Sequence, residues 1–89
     1  MTNAEWWSQV VASRTQSGDG LTIQPAWILH RDGYHAAVGI RQVAGVGSEI
    51  VLIVDGDWRR TRLYRTEQQA ERDKAIADTR ATFEAKGWR

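Results

Sequence analysis

Two Asp-Gly pairs divide the middle of the chain and restrict its fold more than any other feature. Asp32-Gly33 and Asp55-Gly56 each lie between runs rich in β-branched and aromatic residues. An Asp-Gly pair in this setting favours a two-residue hairpin turn, because the central residues of such turns need positive φ angles. The chain is therefore predicted to form two β-hairpins.

The Asp32-Gly33 turn determines the register of the first hairpin. Pairing across the turn sets Trp27 against Val38 and His30 against His35. Pro25 has no N–H to donate, so the chain before Trp27 is expected to be an edge or a bulge. The residues predicted to share the core face are Trp27, Leu29, Ala36, Val38 and Ile40.

The second hairpin joins the β-branched run 49–54, typical of a strand covered on both faces, to the segment 58–65. A three-residue turn here would shift the register, so a two-residue loop is a condition of the prediction. With that loop, one face carries Ile50, Leu52, Val54 and Leu63, and the other carries Val51, Ile53, Trp58, Arg60, Arg62 and Tyr64.

A helix is predicted at each end of the chain. Thr2 and Glu5 fit a capping box, and residues 17–20 are expected to end the first helix. The last helix is expected to run from Thr66 to about Lys86. Four apolar residues fall on one arc of the first helix: Trp6, Trp7, Val10 and Val11.

The last three residues are predicted to close the final helix. Gly87 suits the left-handed position after a helix, and Trp88 can then pack back on Phe83. Deleting residues 87–89 is expected to cost about 1–2 kcal/mol through the lost cap and contact.

The order helix, two hairpins, helix predicts one small α+β domain over residues 1–89. Its sheet is an antiparallel four-stranded meander with the helices packed on it, and two layers are expected. Five tryptophans in 89 residues supply a large apolar area for so short a chain.

The chain contains no cysteine, which excludes disulfides and zinc–thiolate sites. Residues 1–10 show neither a basic leader nor a long apolar run, and residues 50–54 are too short to cross a membrane. A cytoplasmic location is the resulting prediction.

Positive charge is concentrated in residues 58–65, which carry four arginines and no acidic residue. Residues 1–57 have a net charge of −3, and residues 66–89 are neutral. Guanidinium groups suit phosphate or carboxylate, and aromatic faces can stack on bases. The alternative is that the arginines pair with Glu49, Glu67 and Glu71. The candidate partner-binding residues are Trp58, Arg59, Arg60, Arg62, Tyr64 and Arg65.

No other motif indicates a cofactor, a metal or catalysis. His30 and His35 are expected to face solvent as a cross-strand pair, with a pH-sensitive contact or a metal as the alternatives. The glycines of residues 45–48 precede a strand rather than a helix, so they are interpreted as a flexible connection and not a phosphate loop. No residue pattern supports an enzyme.

The predicted function is a non-enzymatic protein-interaction or self-association domain, such as a small cytoplasmic regulator or adaptor that phages or plasmids could also carry. An open apolar sheet face would favour a homodimer, and Val51→Lys would then disrupt the interface. The alternative is nucleic-acid or other polyanion binding through the arginine-rich strand. The residues of this apolar sheet face are Ile28, Ala37, Val51, Ile53, Trp58 and Tyr64, and the alternative to a partner is that the first helix covers them.

Overall fold

The computed structural model describes residues 1–15 and 23–89, with only the backbone for residues 13–15, 60 and 61. The predicted loop at residues 17–20 lies outside this range. Among the described residues, neither helix is long and apolar enough to cross a membrane. The elements are α1 (Asn3–Thr15), β1 (Ile23–Arg31), β2 (Tyr34–Val43), β3 (Gly47–Val54), β4 (Asp57–Arg65), a 3-10 turn (Thr66–Gln68) and α2 (Gln69–Ala85).

The four strands form one antiparallel sheet in the order β1-β2-β3-β4. Each strand therefore pairs only with its neighbours in sequence, and β1 and β4 are the outer strands. This arrangement confirms the predicted α+β meander with an N-terminal helix and a C-terminal helix packed on the sheet.

Both Asp-Gly turns form as predicted. Asp32 and Asp55 each have a φ of 51°, and the following glycines Gly33 and Gly56 have φ angles of 84° and 85°. Two consecutive positive φ angles define the hairpin turn that matches the strand twist. The connection between β2 and β3 is shorter than predicted, because Val43 already pairs with Gly47.

The sheet is covered on both faces, so the domain has three layers rather than the two expected. On the α1 face, Trp6 and Val10 pack on Ala37, Val51 and Ile53. On the α2 face, the helix residues Ala75, Ile76 and Phe83, together with Trp88, join a second cluster. The strand residues of that cluster are Trp27, Leu29, Ala36, Val38, Ile50 and Tyr64.

The first hairpin has the predicted register, with Trp27 opposite Val38 and His30 opposite His35. The pairing shifts between Pro25 and Trp27, which is the irregularity that a proline in a strand predicts. Beneath α1 the sheet needs a glycine at position 39, because a Cβ there would lie 2.7 Å from the Ile23 side chain.

The second hairpin has the predicted two-residue loop but not the predicted faces. Val54 pairs with Asp57, yet the register shifts beyond Val51, which pairs with Arg60, so that Ile50 pairs with Arg62. One extra residue in β4 forms this bulge and moves the rest of the strand to the opposite face. Tyr64 therefore lies on the α2 face, and Leu63 lies on the α1 face with 44% of its surface exposed.

The start of α1 and the end of α2 follow the predicted chemistry, whereas α2 begins at Gln69 and not at Thr66, because a 3-10 turn precedes it. The Thr2 Oγ1 accepts the Glu5 amide at 3.1 Å, and the Glu5 carboxylate accepts the Thr2 amide at 3.2 Å. At the other end, the Trp88 amide donates to the Phe83 carbonyl at 3.1 Å. Gly87 has a φ of 92°, as the Schellman motif requires.

The C-terminal residues contact more of the domain than their capping role predicts. The Trp88 ring lies 5.4 Å from the Phe83 ring and is 9% exposed. The backbone of Arg89 exchanges two hydrogen bonds with that of His30, at 2.9 and 3.0 Å. The tail thus joins the end of the chain to β1.

Deleting residues 87–89 is expected to lower the free energy of unfolding by about 2–3 kcal/mol, since a buried tryptophan leaves together with the cap. Urea unfolding of the shortened and intact chains measures this loss. Removing Arg89 alone is the control, and it is expected to cost only about 1 kcal/mol because Trp88 and the cap remain. An unchanged midpoint on deleting 87–89 would contradict the packing of Trp88.

Candidate functional site: the arginine-rich edge strand

Strand β4 contains all the residues that the sequence indicated as contact candidates, and the bulge divides them between two faces. Before it, Trp58 and Arg60 occupy α1-face positions and Arg59 an α2-face position. After it, Arg62 and Tyr64 occupy α2-face positions. The prediction that Trp58, Arg60, Arg62 and Tyr64 line one face is therefore wrong, because it assumed an unbroken alternation.

The two aromatic residues of β4 are part of the packing. Trp58 is half-buried against the α1 cluster, and Tyr64 is 6% exposed in the α2 cluster. The guanidinium carbon of Arg62 lies 4.9 Å from the centre of the Tyr64 ring. The two rings lie on opposite sides of the sheet, so they do not form a stacking platform.

The arginines remain at the surface along the outer edge. Arg59, Arg62 and Arg65 are exposed, and the structure describes only the backbone of Arg60. The Arg59 Nε lies 3.0 Å from the Asp57 Oδ2, and both side chains are largely in solvent. Within the described part of the chain, Arg62 and Arg65 form no ion pair, so their charges are available to a partner.

Two of the three acidic residues expected to neutralise β4, Glu67 and Glu71, do not pair with its described side chains. Glu49 forms its ion pair with Arg41 at 3.4 Å, on the α1 face. Glu67 and Glu71 are exposed and make no ion pair with a described β4 arginine. The charges of Arg62 and Arg65 therefore remain exposed on β4 in the part of the chain that the structure describes.

The histidine pair forms across the first hairpin but does not face solvent as predicted. His35 is 7% exposed, and its ring stacks on Trp6 with the centres 5.1 Å apart and the planes at 15°. The expectation of two solvent-facing rings is wrong for His35, because α1 covers that side of the sheet. His30 is exposed, with its ring centre 6.2 Å from that of His35. Across the described residues, no group of three His, Asp or Glu residues could hold a metal ion.

Burial lowers the pKa of the His35 imidazole below its ordinary value of 6.5, and the positive charges of His30 and the Met1 amino group lower it further. Asp55 acts in the opposite direction, with a smaller effect. The folded protein therefore resists protonation of the His35 ring. In the unfolded chain the same ring is protonated at its ordinary pKa.

The free energy of unfolding is accordingly expected to decrease as the pH is lowered below about 6.5, since the unfolded state then binds the proton more readily. The contribution is fully present above pH 6.5 and is lost as the pH falls toward the lower pKa of the folded state. Urea midpoints from about pH 8 to about pH 5 measure it, with His35→Gln as the comparison because glutamine does not titrate there. Parallel curves for the two proteins would contradict the assignment.

A polar cleft between the sheet and the start of α2 is a feature that the sequence did not indicate. Its volume is about 280 Å³, and Gln42, Ser48, Arg65, Gln69 and Arg72 are among the residues that line it. These residues come from β2, β3, β4 and α2. In the sequence, Arg72 is one of many balanced charges of the last helix. Nothing singles it out, because its contacts depend on tertiary packing and not on local spacing.

Comparisons of the chain with protein-family models, with curated proteins and with solved structures give no match.

Proposed function

We propose that this domain is a non-enzymatic protein-interaction module that binds an acidic, extended segment of a partner protein along β4. The observation that carries the proposal is the position of the arginine-rich segment on an outer strand. An outer strand has backbone N–H and C=O groups that point away from the sheet, and an added strand can pair with them. Carboxylates on that strand would meet Arg59, Arg62 and Arg65.

The opposite edge offers less to a partner. Pro25 removes one N–H from β1, and the register shift beside it interrupts the ladder. Arg89 already pairs with the backbone of His30 at the other end of β1. Strand addition is therefore favoured at β4.

Self-association is no longer favoured by an open apolar sheet face. The supposedly open apolar face is covered by α1, with Val51 6% exposed and Ile53 fully buried. Two copies pairing through β4 would bring arginines against arginines, and like charges on adjacent strands destabilise a pair. An acidic partner strand would pair with the same edge without this repulsion between like charges.

Nucleic-acid binding loses its stacking component, because Trp58 and Tyr64 lie on opposite faces. Arginine contacts to phosphate remain as the sole support, and such binding would depend strongly on salt. We therefore rank an acidic protein segment first. A cytoplasmic location remains a prediction from the absence of cysteine.

The test uses two synthetic octapeptides that alternate valine with either glutamate or lysine. Backbone amide shifts of β4 are expected to move with the glutamate peptide, at a dissociation constant of about 100 μM, and not with the lysine peptide. Methylating alternate amides of the glutamate peptide is expected to weaken binding about tenfold, because strand addition needs those N–H groups.

Charge reversal supplies the matched control. Arg62→Glu with Arg65→Glu is expected to abolish peptide binding, whereas Arg80→Glu on the outside of α2 leaves it unchanged. Random single-stranded DNA and RNA form the competing arm. Tight, salt-sensitive binding to these with no peptide binding would replace the proposal by nucleic-acid binding, and no binding in either arm would end it.

A further inference from the structure

We propose that the cleft between the sheet and the start of α2 is a binding site for a phosphate group carried by a small molecule. This inference does not depend on strand addition at β4. The cleft is concave and polar, and its volume of about 280 Å³ can hold a phosphate and part of the molecule attached to it.

Arg72 provides the main binding group, and it is held in place before any ligand arrives. Its side chain is only 15% exposed. Its Nε and Nη2 donate to the Asp73 Oδ1 at 3.1 and 3.0 Å, and its Nη1 donates to the Ser48 Oγ at 2.9 Å. A guanidinium has five N–H groups, so these three contacts leave about two for a ligand.

Ser48 fixes the other side of this arrangement. Its side chain is buried, at 6% exposure, and its hydroxyl donates to the Gln42 Oε1 at 3.2 Å while accepting from Arg72. The Gln42 oxygen is thereby occupied, which leaves the amide nitrogen of Gln42 as a donor at the cleft. A buried serine and a partly buried arginine oriented by each other make a rigid site, whose donors need little reorganisation on binding.

The charge and direction of the donors favour a phosphate over a cation or a carboxylate. Arg65 lines the same cleft and makes no ion pair within the described residues, whereas the Arg72 charge is partly balanced by Asp73. Donors from Arg65, Arg72, Gln42 and Gln69 border the space from two strands and a helix. A tetrahedral oxyanion can accept from several directions, whereas a carboxylate accepts in one plane.

The experiment titrates the protein with inorganic phosphate and follows amide shifts at constant ionic strength. Saturable changes at Ser48, Gln69 and Arg72 are expected, with a dissociation constant of about 1 mM, and acetate is expected to bind at least about tenfold more weakly. Glycerol phosphate, a monoester, is expected to bind at least as tightly as phosphate. Dimethyl phosphate, a diester, is expected to bind more weakly because it has one charge and fewer free oxygens.

The variants separate binding from folding. Arg72→Gln is expected to weaken phosphate binding by about tenfold or more, and Arg65→Gln by about threefold. Arg80→Gln is the control, since it removes the same charge from the exposed side of α2. Arg65 is exposed, so its variant remains informative if Arg72→Gln does not fold. Shifts that spread along all arginines without saturation, equal binding of acetate, or unchanged affinity in Arg65→Gln would overturn the proposal.

Discussion

Replacing Trp27 by alanine is expected to lower the free energy of unfolding by about 3–5 kcal/mol, the loss typical of a buried aromatic in a packed core. Trp27 is 5% exposed, and its ring lies 5.5 Å from that of Phe83. Its Nε1 also donates to the Ile76 carbonyl at 3.1 Å. One side chain thus holds α2 against β1 by burial and by a directed bond. Urea unfolding followed by circular dichroism measures the loss.

Trp27→Phe separates the two contributions. Phenylalanine keeps most of the burial and loses the N–H, so it is expected to cost about 1–2 kcal/mol. The Ile76 carbonyl lies inside α2, where a helix bond satisfies it, and it is not left without a partner. A phenylalanine variant as unstable as the alanine variant would show that the directed bond, and not burial, dominates.

Val51→Lys is expected to be as damaging, at about 3–5 kcal/mol, because it buries an unpaired ammonium group. Val51 is 6% exposed in the α1 cluster and lies opposite Arg60 in the ladder. The sequence-based prediction placed this damage in a dimer interface, whereas the structure places Val51 beneath α1. The loss of stability should therefore be the same at every protein concentration.

Leu63→Lys is the matched control, since Leu63 lies on the same sheet face but is 44% exposed. Its effect is expected to stay within about 0.5 kcal/mol. Unfolding midpoints measured over a hundredfold range of protein concentration, and light scattering of the intact protein, complete the test. A midpoint that rises with concentration would restore the dimer.

The first hairpin could be predicted from sequence because one local signal determines its geometry. Asp32-Gly33 fixes the turn, the turn fixes the register, and the register places Trp27 and Val38 on the same face. The capping box of Thr2 and the closure by Gly87 were predictable for the same reason, since all the interacting groups lie within a few residues.

The second hairpin could not be predicted beyond its turn, because nothing in residues 58–65 marks a bulge. Neither glycine nor proline interrupts Trp58 to Arg65, and alternation was the natural assumption. A single extra residue reversed the positions of Leu63 and Tyr64. The proposed stacking surface depended on that alternation, so one undetected residue changed the functional interpretation.

The packing of the helices and the polar cleft could not be predicted either, because both depend on tertiary contacts. Trp6 reads as apolar in any arrangement, and its sequence position does not say that it will stack on His35. Arg72 reads as one charge among many, and its contact with Ser48 arises only when α2 packs on the sheet. Patterns of residue type indicate which residues are buried, but not the surface that buries them.

The pairing of Arg89 with His30 has a consequence for assembly. A sheet propagates into a filament only if each copy has two compatible edges, one to accept a strand and one to offer it. Here one edge is interrupted at Pro25 and engaged at His30 by the chain's own tail, while the other carries positive charge. If a partner strand adds at β4 as proposed, each copy has one edge for it, and the bound strand would end the growth of the sheet instead of extending it.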